Sequence, residues 1–248
     1  MKYIGVAECF FINGLSFVPV IYGITLISVP GYTSKKSSRE ISTLGNIRAG
    51  VRYILRHRIL LSSFFMMAIV CTFSMNTNVT LPVFAKDALM GDEGTYSFLM
   101  SMVGVGSLFG ALFMAVKGKE ITYKYYLILV AGILGIIQML TLFTSSLTVI
   151  SVLLILIGFF NLCFLNGANT RIQLHTENRY RSRVMSMYTM VNTGSTPIGN
   201  SFTGLVMSLL SARFGFFIDG LVTVLLILLV FNIYYRKNKA EKKIHVNI

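Results

Sequence analysis

Charge is scarce in this chain, and negative charge most of all. Asp, Glu, Lys and Arg make up 12% of 248 residues, and only nine residues are acidic. Soluble domains carry about 25% charge, so an ordinary soluble fold is excluded. Histidine is equally sparse: His57, His175 and His245 all sit in basic stretches outside the apolar runs. There is no paired-His metal motif, no phosphate loop ending in Gly-Lys-Ser/Thr and no Gly-x-Ser-x-Gly elbow. The chain therefore reads as a non-enzyme with no metal or bound cofactor. Cys9, Cys71 and Cys163 lie singly within apolar runs, which speaks against a disulfide framework and for reduced packing cysteines.

What fills the chain instead is hydrophobic sequence, 54% of residues, with a mean hydropathy of +0.72. Seven apolar runs are long enough to cross a hydrocarbon core about 30 Å thick, which takes roughly 20 helical residues. They cover about 4–29, 59–84, 95–116, 125–143, 147–169, 184–210 and 214–235. Spanning strands would show polar residues at alternate positions, and these runs do not. The first run carries Glu8 and Pro19 and lacks a small-residue cleavage site, so it reads as a membrane helix and not as a cleaved signal. The expected fold is an all-α polytopic membrane protein with seven transmembrane helices. A leading helix (1–29) is followed by a basic linker (30–58), a six-helix bundle (59–235) and a basic tail (236–248).

The net charge of +13 lies almost wholly between the runs, which points to anionic lipid and not to nucleic acid. The linker holds seven Lys and Arg from Lys35 to Arg58 against Glu40. The next loop is acidic (Asp87, Asp92, Glu93), the third basic (Lys117, Lys119, Lys124), the fourth neutral. The fifth carries Arg171, Arg179, Arg181 and Arg183, the sixth is a tight turn at Ser211–Arg213, and the tail is basic again. Basic and non-basic loops alternate, so the positive-inside rule places the amino terminus outside and the carboxyl terminus in the cytoplasm. Within the linker, Thr33–Glu40 is a Ser/Lys-rich connector. In Leu44–His57, apolar Leu44, Ile47, Val51, Ile54 and Leu55 recur at helical spacing opposite arginines, the pattern of an amphipathic helix on the inner membrane surface.

Polar side chains inside the runs are the functional candidates, because lipid leaves them without partners. Asn76, Asn78, Gln138, Asn161, Asn166 and Asn192 are expected to line a substrate pathway or to hydrogen-bond between helices. Asn76 and Asn78 beside Pro82 mark a locally bent helix. Among the acids, Glu8 is near the end of the first run, and Asp219 lies two turns into the last, six residues from Arg213. No carboxylate or histidine stands out as a proton relay. Gly104, Gly106 and Gly110 suit close helix packing.

Several short motifs fall in a telling order. Asn13-Gly14-Leu15-Ser16-Phe17 precedes the linker motif from Gly50 to His57. Leu81-Pro82-Val83-Phe84-Ala85 follows, then the segment Gly104–Ala111, Ile172-Gln173, and Arg181-Ser182-Arg183-Val184-Met185-Ser186-Met187-Tyr188 with Gly194, Pro197 and Gly199. Together they resemble the carboxyl-terminal half of a major facilitator superfamily transporter, in the enterobactin-exporter-like and macrolide-efflux-like branch, from its sixth helix to its twelfth. The resemblance implies an efflux permease of the cytoplasmic membrane. It would export a drug, siderophore-like compound or other small metabolite by alternating access, driven by an ion gradient, usually of protons. It also implies that Arg179, Arg181 and Arg183 contribute to a cytoplasmic gate and that Gly194, Pro197 and Gly199 let the next helix pack or flex. Family members commonly carry glycine where Ser182 stands. The pattern's first five helices have no counterpart, so a complementary amino-terminal half or a second copy is the expected partner, beside lipid and a small-molecule substrate. The competing reading is a non-transporting membrane protein, an inactive remnant or a regulatory subunit.

Overall fold

A computed structural model describes residues 6–26, 43–117 and 125–246. The chain divides into two compact units, Met1–Glu40 and Ile41–Ile248. In the first unit, Val6–Thr25 form α1, a 20-residue helix that contains Pro19. The Thr33–Glu40 connector and loop residues 118–124 lie outside the described residues.

Helix is the only regular secondary structure among the described residues of the second unit. Thr43–Arg56 form α2, within one residue of the amphipathic stretch expected from sequence. One residue later the chain enters α3, Arg58–Phe73. After an interruption at Ser74–Asn76 come α4, Thr77–Val83, and a wider π-type turn, Phe84–Ala88. The remaining helices are α5 (Glu93–Lys117), α6 (Tyr126–Leu140, ending in a 3₁₀ turn), α7 (Leu147–Leu174), α8 (Arg181–Leu209) and α9 (Ala212–Val246). The apolar part of α9 ends at Ile233. Helix α9 runs on through the Lys/Ala/Glu-rich segment, whose residues are strong helix formers.

Five stretches among the described residues are long and apolar enough to span a bilayer: Arg58–Ala88, Glu93–Lys117, Tyr126–Phe143, Leu147–Leu174 and Ala212–Ile233. The sixth apolar run, α8, is long enough at 29 residues but is interrupted by Ser, Thr, Asn and Gly along its length. Glycines set how closely the helices cross. A Cβ on Gly106 would collide with the Ile155 carbonyl, and one on Gly158 with the Val103 carbonyl, so α5 and α7 touch backbone to backbone. Gly135 of α6 and Gly220 of α9 meet in the same way. Such contacts replace the hydrophobic drive that lipid removes. The main core gathers Met66, Val70, Leu99, Leu127, Leu134, Leu154, Ile157, Phe164 and Phe216.

Candidate functional site

The interruption between α3 and α4 is where polar chemistry concentrates. Ser74, Asn76, Thr77 and Asn78 all have side chains that compete with the helix for backbone hydrogen bonds, and Pro82 removes the N–H that would continue the ladder back to Asn78. The freed carbonyls find side-chain donors. Asn76 Nδ2 donates to Thr72 O at 2.8 Å, and Gln138 Nε2 of α6 donates to Ser74 O at 2.9 Å. Ser74 Oγ lies 3.0 Å from Gln138 Oε1 and 2.9 Å from Thr223 Oγ1 of α9. The break is thus held by three helices, and its open backbone groups are satisfied inside protein, as non-helical backbone at membrane depth must be.

Asp219 completes this centre. It stands seven residues, about 10 Å, from the start of α9 and is 1% exposed. Thr203 Oγ1 of α8 donates to its two carboxyl oxygens at 2.7 and 2.9 Å, and Asn76 Nδ2 in turn donates to Thr203 Oγ1 at 2.8 Å. A longer contact of 3.5 Å joins Asn76 Nδ2 to Asp219 Oδ2. The chain of donors runs Asn76 to Thr203 to Asp219 and ends on the acid. Asp219 is the only buried carboxylate among the described residues. Arg213 does not reach it; its guanidinium donates to Ala88 O at 3.4 Å. On the far side of Asn76, the buried Oδ1 has no hydrogen-bond partner. Gly199 presses against that edge, where a Cβ would meet the Thr72 carbonyl and stand 2.6 Å from Asn76 Oδ1.

The residues singled out from sequence divide between several environments. Asn76 and Gln138 are buried in this centre, whereas Asn78 is exposed. Asn192 is half-buried and accepts from Cys71 Sγ at 3.3 Å. Asn161 is half-buried with its Oδ1 unpartnered. Asn166 lines a cavity of about 440 Å³ between the last turns of α5 and α7, with Ala111, Met114, Asn169, Thr170 and Gln173 among its other walls. Gly106, Gly110 and Gly199 meet neighbouring backbone, while Gly104 and Gly194 face open space and Pro197 is exposed within α8. Cys71 and Cys163 are buried and unpaired. Asp219 is the member sequence reasoning missed. Its signal was a lone acid in an apolar run; its partners lie 16 and 143 residues away.

A second polar feature faces outward. Ser186, Thr189, Thr193, Pro197, Ser201 and Ser208 are exposed along α8. Ser186, Thr189, Ser201 and Ser208 each donate to a carbonyl of their own helix, so their oxygens face outward as acceptors. The exposed sides of α6 and α9 are instead Leu129, Ile136, Leu140, Leu225, Leu228 and Leu229. At the start of α8, Arg179 and Arg181 are exposed and Arg183 is half-buried beneath Gly50 of α2. Arg179 and Arg183 flank the Tyr180 ring at about 6 Å.

Comparison with curated proteins and with solved structures returned no match. A family model does match, the one described as transmembrane secretion effector, over residues 1–247. With that match on several apolar helices, a discontinuous α3–α4 span and a polar outer face on α8, the chain belongs to the transmembrane secretion effector family of the major facilitator superfamily, whose members are multi-pass membrane transporters.

Proposed function

We propose that this chain forms the carboxyl-terminal wall of an efflux permease in the cytoplasmic membrane, exporting a small molecule by alternating access. The observation that carries the reading is the outward hydroxyl face of α8. A helix that turns serines, threonines and a proline outward at membrane depth faces water or protein, because lipid offers those groups no partner. The helix therefore borders a pathway, with a complementary half or a second copy of the chain on its other side.

In this reading seven helices cross the membrane with the carboxyl terminus inside, supported by the alternation of basic and non-basic loops. Asn161, Asn166 and Asn192 supply polar groups toward the pathway. Arg179, Arg181 and Arg183 close its cytoplasmic end. Transport is coupled to an ion gradient, and Asp219 is the group that carries the proton, since buried ionisable residues in membrane bundles mark ion pathways. Its link to Asn76 ties the event to the break between α3 and α4.

The test is gradient-dependent efflux from vesicles holding this chain with and without an amino-terminal half. Flux that requires the pair and fails with Asp219→Asn supports the reading. Absence of flux under every pairing overturns it in favour of a non-transporting membrane protein. Labelling decides the face independently: in a cysteine-free background, Thr193→Cys is expected to react with a membrane-impermeant maleimide and Leu228→Cys is not. Equal labelling would remove the pathway.

A further inference from the structure

We propose that α2 is a binding element for anionic phospholipid, seated so that the lipid headgroup acts on the inner end of α8. The helix has three faces. Gly50, Tyr53 and Ile54 are buried against the bundle. Gly50 sits close to Arg183 Cβ and Met187, Tyr53 stacks on Tyr180 with ring centroids 4.3 Å apart, and the Glu177 N–H donates to the Tyr53 hydroxyl at 3.2 Å. Ile47, Val51 and Leu55 form a second, exposed apolar stripe at intervals of four, with Leu55 61% exposed. Arg48, Arg52 and Arg56 form a third stripe immediately beside it, also exposed. No acid lies on the helix.

The place of α2 beside α8 and at the start of α3 bears on what covers the two free stripes. Met187, against which α2 packs, lies in line with Ile198, Leu205 and Leu209, which follow at steps of 11, 7 and 4 residues. At 3.6 residues per turn these four share one side of α8 to within about 40°. The last three are exposed, so this is the helix's apolar side. The hydroxyl stripe lies about a third of a turn away. Helix α2 touches Arg183, in register with Ser201, as well as Met187, so it sits where the apolar side of α8 meets its polar face. It also ends one residue before α3 begins its span at Arg58, which puts α2 at the level of the headgroups. An aliphatic stripe flanked by arginines at that level matches acyl chain and phosphate in turn. The guanidinium fork pairs with phosphate oxygens in a way that a zwitterionic surface, with its own cation, does not reward equally. This inference stands whether or not the chain transports.

The chain contains no tryptophan, so Leu55→Trp introduces a single fluorophore on the exposed stripe. The full-length variant is reconstituted in mixed vesicles of phosphatidylglycerol and phosphatidylcholine, with bromine on the acyl chains of one lipid or the other. Quenching is expected to report a preference for phosphatidylglycerol of at least about fivefold in relative association constant, since one basic residue near an anionic surface contributes roughly that much. Replacing Arg48, Arg52 and Arg56 together by Gln is expected to bring the ratio close to one. Val51→Trp serves as the second reporter should Leu55→Trp disturb folding. Equal quenching by the two lipids overturns the proposal. So does quenching by aqueous acrylamide alone, or shielding from both quenchers, which would show a protein partner or second copy on the stripe.

Discussion

Two polar regions of this bundle have similar residue types and opposite surroundings. The buried centre joins Ser74, Asn76, Gln138, Thr203, Asp219 and Thr223, each bonded to a side chain or carbonyl of another helix. On α8, exposed Ser186, Thr189, Ser201 and Ser208 donate to carbonyls of their own helix. The difference teaches that polarity in a membrane helix has two readings. Cross-helix partners make a polar group part of the scaffold. Self-satisfied hydroxyls leave a surface free to meet water, substrate or another chain.

The comparison breaks most sharply at glycine. Gly199→Val drives a side chain into the Thr72 carbonyl and Asn76 Oδ1 and is expected to cost about 3 kcal/mol of stability, at the upper end for overpacking. Gly194→Val, on the same helix with nothing within 4 Å, is expected to stay within about 0.5 kcal/mol. Thermal unfolding in detergent separates them, and equal losses would dissolve the distinction between the two faces. Next, Gln138→Leu leaves the Ser74 carbonyl without its amide donor and is expected to cost about 2 kcal/mol. Asp219→Ala strips the acceptor from Thr203 at a similar cost of about 2 kcal/mol. Asp219→Asn keeps an acceptor there and is expected to unfold near the parent while losing coupled efflux. A smaller effect is expected on the outer face: Thr193→Ala and Ser201→Ala change unfolding by less than about 0.5 kcal/mol and show themselves only in flux or labelling.

The smallest effect lies outside the membrane. Asp92 accepts the Thr95 N–H at 2.8 Å at the start of α5, and that bond holds its carboxyl below the usual carboxylate range. A depressed acid stabilises the fold fully above its unfolded value, near 3.9, and the contribution fades as pH falls through the lower folded value. Asp92→Asn is expected to leave the unfolding midpoint at pH 7 nearly unchanged and to remove part of its decline in acid. An identical acid limb in both proteins would show that the cap is inert.

Much of this molecule follows from one-dimensional pattern. The apolar runs give the helices, the spacing of Leu44 to Leu55 gives α2 almost to the residue, and Asn76, Asn78 and Pro82 announce an irregular second run. These are local properties, set by helical period and by backbone competition within a few residues. The pattern places the bend near Pro82, while the interruption falls at Ser74–Asn76, because Gln138 and Thr223 supply partners there. It gives no means of separating Asn76 from Asn78, one buried and one exposed two residues apart. Nor does it join Asp219 to Thr203 and Asn76, or show that α2 rests on Arg183 and Met187 of α8. Those outcomes depend on how each helix is rotated and how deep it sits against its neighbours. Close glycine crossings such as Gly106 with Ile155 and Gly135 with Gly220 set that rotation and depth. Sequence by itself determined which residues are helical and which are polar; only the packed bundle decided which polar groups found each other.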